Sequence, residues 1–471
     1  MRTSALQYLY LQKPISSVII ICAIALLPWL GNEFQTVAES HETSVAASII
    51  HSGNWLLPKT DTGGLTYKAP LAYWLMAAFS LPQGEISGFT SRLPSALAQI
   101  MLIGFVLVFF GKRVRFQEAF IATLLLLTCF EMHRAGTTVQ IDMLFTTFVV
   151  LGLMQLYRWE NKLELKGLPI IIPLLLSCAI LTKGLAGLLL PLFVYLIYLL
   201  ILHKYRFLKI IKSIVYIGIS SIFIPLIWYI AAYKQYGEHF LNTMLADNFA
   251  CIFYPHHQYT GFNLLALLSG FIPWTLLFVF SLFGAKWHMP RKSFKQILKD
   301  AWNWFLSIEK MKRFSIVASV CIVFFYTMPT DRNSAYLLPA YPFISILLAQ
   351  YFIYITENRS MVTRVFACML TTIVSFIFIA GLLTMTQIVD FNSLAAEYTV
   401  NTSALLIIKN TTNTLTSGSI INWFIMALLF ISIATTIYQT TRRINIKILY
   451  ATILMTFCLN LFIDGVVMKG F

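Results

Sequence analysis

Apolar residues in this chain come in long blocks. Crossing about 30 Å of hydrocarbon as a helix takes about 20 residues. Runs of roughly that length recur near 15–31, 94–111, 117–135, 138–157, 168–183, 184–203, 208–232, 262–285, 313–328, 335–356, 361–389, 419–439 and 446–466. With no lipid-exposed partner for backbone N–H and C=O groups, such runs are predicted to be helices. The expected fold is an all-α polytopic membrane protein with about 12–13 transmembrane helices. Arg2 and Lys13 flank the first run, but "LLPWLGNEF" offers no small-residue cleavage site, so it reads as a retained span.

The polar connectors are uneven. With the N-terminus inside, the first outer loop, 32–93, is by far the longest; 233–261 and 390–418 are intermediate, and those near 136, 183 and 330 are tight turns. Within the first loop, "ESHETSVAASIIHSGNW" opens with acids and capping residues. It then places Val45, Ala46, Ile49 and Ile50 at helical spacing and stops at Ser52-Gly53. "LLPKTDTGGLTYK" reads as a turn or short hairpin. "APLAYWLMAAFSL", closed by Pro82 and Gly84, is too short to span and is predicted to lie at the membrane surface. Among the inner loops only 286–312 is substantial; its "SFKQILKDAWNWFLSIEKMKR" predicts a basic amphipathic helix carrying Trp302 and Trp304. No internal repeat is visible. The expected division is a catalytic transmembrane unit over 1–389, including the first loop, followed by an outer loop and final helices over 390–471.

Composition agrees: 58% of residues are hydrophobic and 11% charged, against about 25% charged in soluble domains. The net charge of +15 would suit a nucleic-acid binder, but its distribution excludes that reading. Of the 34 Lys and Arg, 25 fall in the alternate loops assigned to the inside, together with six of the 19 Asp and Glu. That leaves +19 inside and −4 outside, the ordinary positive-inside signature of a membrane protein. The seven cysteines are scattered with no CxxC, so neither a disulfide framework nor a zinc knuckle is indicated.

The same arithmetic isolates nine outer cations: Lys59, Lys68, Arg92, Arg134, Lys183, Lys234, Arg332, Lys409 and Lys469. Lys68 sits where a polar turn meets an interfacial helix, at a depth where an ammonium can meet a lipid phosphate. Two outer acids accompany it. Asp142 lies in the first turn of the fourth span, where it is either a functional carboxylate or a helix cap. Glu39 precedes the first-loop helix, where a lone acid is ordinarily a solvated charge. Lys183 occupies a tight turn in "LTKGLAGLLLP", Arg332 and Tyr336 open a span in "TDRNSAYLLPAYP", and "FYPHHQYTGF" carries His256, His257 and Tyr259. Adjacent histidines and the absence of HxxxH or HExxH give a metal site little support. Tyr67, Tyr73, Trp74 and Tyr336 suit either sugar stacking or an interfacial aromatic belt.

Taken in order, "GNW" at 53–55, "YKAPLAYW" at 67–74, "SRLPSAL" at 91–97, "QIDMLF" at 140–145, "LTKGLAGLLLP" at 181–191, "GFIPWTLLF" at 270–278 and "YLLPAYP" at 336–342 make the chain resemble a known family. It is similar to the GT-C class of integral-membrane glycosyltransferases, in particular the aminoarabinose lipid A transferase and protein mannosyltransferase-like group. The resemblance implies inverting transfer of a sugar from a polyprenyl-phosphate donor at the periplasmic face of the bacterial inner membrane. The acceptor would be a lipid A-like glycolipid or a protein. It implies catalytic roles for Glu39 and Asp142, and donor-phosphate binding by Lys68 helped by His41, Arg332 and Lys183. Tyr67, Tyr73, Trp74, His256 and Tyr336 would line the substrate site. The chain departs from the family in reading Ala38-Glu39 for a common Asp-Glu pair, His41 for an arginine and "KAP" for "KPP". Donor identity stays open, as does dependence on a divalent metal ion; no other cofactor is implied.

The implied chemistry suits these residue types. Charge grows on the departing polyprenyl phosphate in the transition state, and a fixed cation there favours that state over the ground state. A hydroxyl acceptor needs a base, which Glu39 or Asp142 could supply; a phosphate acceptor does not. The rival classes are a flippase for lipid-linked sugars, which predicts ionisable residues at mid-membrane, and a polysaccharide ligase, which predicts one large late outer loop.

Overall fold

The computed structural model describes residues 5–32, 37–60, 64, 66, 68–160, 163, 167–253, 262–283, 293–327, 333–389 and 402–469. Among these the chain is helical throughout, with no β-strand element. Helix α1 (Ala5–Leu26) leads to the first loop, which holds α2 (Val37–Ser52) and α3 (Leu71–Ser80). There follow α4 (Gly88–Gly111), α5 (Phe116–Thr128), α6 (Phe130–Thr137), α7 (Ile141–Trp159), α8 (Ile171–Lys183) and α9 (Ala186–Leu202). Next come α10 (Phe207–Phe253), α11 (Phe262–Gly270), α12 (Trp274–Phe283), α13 (Phe294–Ser307) and α14 (Lys310–Phe325). A 3₁₀ segment (Ser334–Ala340) enters α15 (Tyr341–Asn358), and α16 (Ser360–Met385), α17 (Thr402–Thr416), α18 (Ile420–Arg442) and α19 (Asn445–Phe462) complete the chain.

Every run expected to span coincides with helix, and the protein is a multi-pass membrane protein. By length and apolarity, seven of the described helices can cross a bilayer singly, and up to nine spans result if each of two bent pairs counts as one. The bent pairs are α5 with α6, at 62°, and α11 with α12, at 107°. Helices α8 and α9, and the apolar part of α1, are shorter than 18 residues. The two breaks satisfy each other. Phe130 N donates to the Ile272 carbonyl at 3.1 Å, and Trp274 Nε1 donates to Thr128 Oγ1 at 3.0 Å. Backbone freed by a bend inside a membrane bundle must find such protein partners. A third constriction joins α8 to α9: Gly184 adopts φ 63°, and Gly187 lies so close to α8 that an added Cβ would come within 2.3 Å of the Ala179 carbonyl carbon.

The first loop folds as predicted and is locked to one end of the bundle. Val45, Ala46 and Ile49 of α2 are fully buried against Ala72, Tyr73, Met76 and Ala77 of α3 and against Val139. Helix α2 stops at Gly53, whose φ of 68° suits glycine. The connector turns back on itself, with Thr66 N donating to Pro58 O at 2.8 Å and Thr60 N to Gly64 O at 2.7 Å. It is then pinned to α10, where Asn54 Nδ2 donates to Tyr236 Oη (2.9 Å) and Trp228 Nε1 to Leu56 O (3.0 Å). Helix α13 leaves Leu298, Trp302 and Trp304 exposed beside its lysines, the arrangement of a helix lying on a charged lipid surface.

One side chain ties these parts together. Arg92, near the start of α4, has no exposed surface. Its Nε and Nη2 each donate to Glu39 at 3.1 Å, and Nη1 donates to the carbonyls of Leu30 (3.1 Å) and Asn32 (2.5 Å). Glu39 also accepts from Val139 N at 2.7 Å. Removing one member of a buried ion pair strands the other charge, at about 3–5 kcal/mol. Glu39→Ala and Arg92→Ala are each expected to lower stability by about that much in detergent unfolding, with the double substitution costing less than the sum; additive losses would show that the pair is uncoupled.

Candidate active site

The end of the bundle that carries α2 and α3 holds a cavity of about 390 Å³, within the size range of small-ligand sites. Chain segments far apart in sequence supply its charged and aromatic lining. Helix α2 contributes Glu42, the stretch leading into α3 contributes Lys68, the α7 and α8 termini contribute Asp142 and Lys183, α10 contributes Tyr229, and the 3₁₀ segment contributes Tyr336 with Asn333 just ahead of it.

Each placement follows from local structure. Asp142 sits in the first turn of α7, where free amides and the helix dipole favour an anion, and Lys183 ends α8, where they favour a cation. The two form an ion pair between Lys183 Nζ and Asp142 Oδ1, with Gln140 Nε2 3.4 Å from the other carboxylate oxygen. The Lys183 ammonium also lies 3.5 Å from the Tyr336 ring centroid, a close cation–π contact. Tyr336 is positioned by a capped turn in which Asn333 Oδ1 accepts from Ala335 N at 3.0 Å.

On the facing wall, Lys68 Nζ donates to Glu42 Oε1 at 2.8 Å, and the Tyr73 hydroxyl donates to Glu42 Oε2. The Lys68 side chain is 53% exposed and that of Glu42 16%, so the lysine head is accessible while its partner is held inside. Burial, reinforced by the Glu42 charge, pushes the Tyr73 phenol well above its ordinary value, so it stays protonated and donates. The described lining thus carries two ammonium groups, each neutralised by a carboxylate.

Of the residues singled out in the sequence, Lys68, Asp142, Lys183 and Tyr336 meet in this cavity, and Tyr73 stands behind it through Glu42. Trp74 is elsewhere: its Nε1 donates to Trp55 O at 2.5 Å, fastening the connector. The His41 side chain is not among the cavity lining. Glu39, expected as a reacting carboxylate, is turned into the bundle by Arg92, and the acid that α2 presents to the cavity is Glu42. Glu42 was missed. It lies on the extension of the stripe through Val45, Ala46 and Ile49, but Glu39 lies on that stripe too, so the pattern marks both acids without separating them. Tyr67, Arg332 and His256 lie outside the described residues, as do His257 and Tyr259. Among the described residues no three His, Cys, Asp or Glu side chains converge to hold a metal ion.

This geometry can be set beside known proteins. Residues 67–229, which include Lys68, Asp142 and Lys183, match the family described as dolichyl-phosphate-mannose-protein mannosyltransferase. The crystal structure of ArnT from Cupriavidus metallidurans bound to undecaprenyl phosphate superposes with a TM-score of 0.66 at 14% identity, covering 99% of this chain and 78% of that one. The fold is therefore that of the GT-C class of polytopic membrane proteins. Within the class the chain resembles the undecaprenyl phosphate-alpha-4-amino-4-deoxy-L-arabinose arabinosyl transferase of Shewanella sediminis, at 21% identity over 71% of its length. A Proteus mirabilis protein of the same description is 23% identical over 66% of the chain. The chain spans 59% and 54% of the length of these two relatives, respectively.

The Lys183 cluster yields a stability prediction. Lys183→Met leaves the mostly buried Asp142 carboxylate unpaired and is expected to cost more than the roughly 1 kcal/mol typical of exposed pairs. Tyr336→Leu, which removes the π face, should cost about 1–2 kcal/mol, and Tyr336→Phe much less. Equal unfolding temperatures for the Leu and Phe variants would show that the ring face does not hold the ammonium.

Proposed function

We propose that the protein is an inverting glycosyltransferase that moves a sugar from a polyprenyl-phosphate donor to an acceptor at the periplasmic face of the bacterial inner membrane. One observation carries this reading above the others: Lys68, Asp142 and Lys183, from three separate outer segments, line a single cavity at the membrane end of the bundle. A flippase would spread ionisable groups through the bilayer, whereas these collect at one end.

In this reading the catalytic unit spans 1–389 and is followed by the last loop and helices, 390–471. Lys68, whose ammonium is exposed at the edge of α3, takes the donor phosphate. As the anomeric C–O bond breaks, its electron pair stays on the phosphate oxygen, and a cation at that point stabilises the developing charge. Asp142, held by Lys183, faces the same space and orients the acceptor or accepts its proton. Tyr336 offers a ring face to the sugar. Similarity to undecaprenyl phosphate-aminoarabinose transferases favours an undecaprenyl carrier and lipid A or another envelope glycolipid over protein as acceptor. Glu39 supports the site by holding α2 against α4.

Lys68→Ala and Asp142→Asn are expected to insert and fold normally while lowering transfer by about 10² or more, the scale of a lost transition-state contact. Lys299→Ala, on α13, should be silent. Mass spectrometry of lipid A and envelope glycans from cells with and without the gene identifies the group transferred and its acceptor. An unchanged envelope, with both site variants as active as wild type, overturns the assignment.

A further inference from the structure

The Lys68–Glu42 pair poses a problem for a phosphate-binding lysine, because its ammonium already has a carboxylate partner at 2.8 Å. The pair is also asymmetric. Lys68 is more than half exposed on a flexible stem. Glu42 is held in place from behind, its second oxygen accepting from the fully buried Tyr73 and its helix packed on α3 through Val45, Ala46 and Ile49. A phosphate arriving at the cavity can draw the lysine head outward, but the carboxylate stays. Any anion seated on Lys68 therefore sits beside a fixed negative charge.

That charge acts unequally on the two ends of the reaction. The donor is a phosphodiester with one negative charge. In transfer the anomeric C–O(P) bond breaks, its electron pair remains on the phosphate, and the acceptor oxygen forms the new bond to the anomeric carbon. The phosphate left behind is a monoester, whose second ionisation near pH 6 gives it about −1.5 to −2 at pH 7. Lys68 alone would hold this product more tightly than the donor. A competing carboxylate narrows that difference, since it repels a near-dianion more than a monoanion and reclaims the ammonium as the phosphate leaves.

We infer that Glu42 is a product-release residue: by competing for Lys68 and repelling the extra charge created in the reaction, it ejects the polyprenyl phosphate product. The inference rests on the reading that Lys68 binds the lipid-linked phosphate. Glu42 acts through Lys68 and is a positioning residue, and its role is the same whether the acceptor is a hydroxyl or a phosphate.

The test uses full-length protein in nanodiscs with undecaprenyl phosphate as the product probe and the substrate established by envelope analysis. Glu42→Gln should bind undecaprenyl phosphate about tenfold more tightly, the effect of one modest charge-assisted contact, with a smaller gain for the diester donor. Single-turnover transfer should stay near wild type while steady-state turnover falls and a burst appears. If Glu42→Gln fails to fold, Glu42→Asp keeps the charge but draws it back by one methylene, and it should shift the same ratio less. Product affinity that is unchanged or weaker in the folded variant overturns the inference. So does a loss of single-turnover rate of about 10² or more, which would make Glu42 a proton acceptor. A separate arm guards the underlying reading: Lys68→Ala should lose undecaprenyl phosphate binding, and retention there would remove the phosphate site itself rather than the role of Glu42.

Discussion

The guanidinium of Arg92 is the point on which the described architecture turns. A fully buried cation is tolerated only when its donors are matched by acceptors of fixed geometry. Here those acceptors are the Leu30 and Asn32 carbonyls just beyond α1 and the Glu39 carboxylate of α2, which itself accepts from Val139 N just ahead of α7. Satisfying one side chain therefore sets where the first loop sits on the bundle. Glu42 follows Glu39 by three residues and Asp142 follows Val139 by three, so the Glu39 carboxylate also sets the spacing of the two cavity acids. The C-terminal end joins the same network: Asn32 Nδ2 donates to the Asp464 carbonyl, and the Asp464 carboxylate lies 2.6 Å from His133 Nε2.

Around that anchor the membrane imposes a second constraint, since the cavity has to be built where helices end. Helix termini supply unpaired amides and carbonyls, a dipole of each sign and access to water, all of which are costly at mid-bilayer. The α7 start, the α8 end and the approach to α3 provide these at one level. The outcome is a polar chamber in which, among the described residues, each lining ammonium already has a carboxylate partner. A ligand seated on Lys68 or Lys183 exchanges partners with an existing ion pair, which makes its affinity depend on how its charge changes during reaction.

The helical blocks were legible because the bilayer enforces one local rule, about 20 apolar residues per crossing, and each expected run is helical. The rule says nothing about where a run bends. The 62° and 107° breaks depend on each other, through Phe130 N reaching the Ile272 carbonyl, and a partner 142 positions away leaves no mark in either segment's hydrophobicity. Lys68, Asp142 and Lys183 were readable for a related reason. Cations on the outer side run against the charge rule, and an acid at a span terminus is rare, so each stood out before any contact was known.

By itself the sequence determined that the chain is a helical membrane protein, and it singled out lysines and acids near the ends of the expected spans. These follow from transfer free energies that belong to single residues and short windows. Only the tertiary structure decided which acid of α2 meets the cavity. Glu39 and Glu42 are near-equivalent in sequence, on one helix less than a turn apart, and their fates were separated by partners beyond that helix: Arg92 draws the first into the bundle, while Lys68 and Tyr73 hold the second at the cavity. Pairing between charges is a property of distance in the folded chain, and no local pattern carries it.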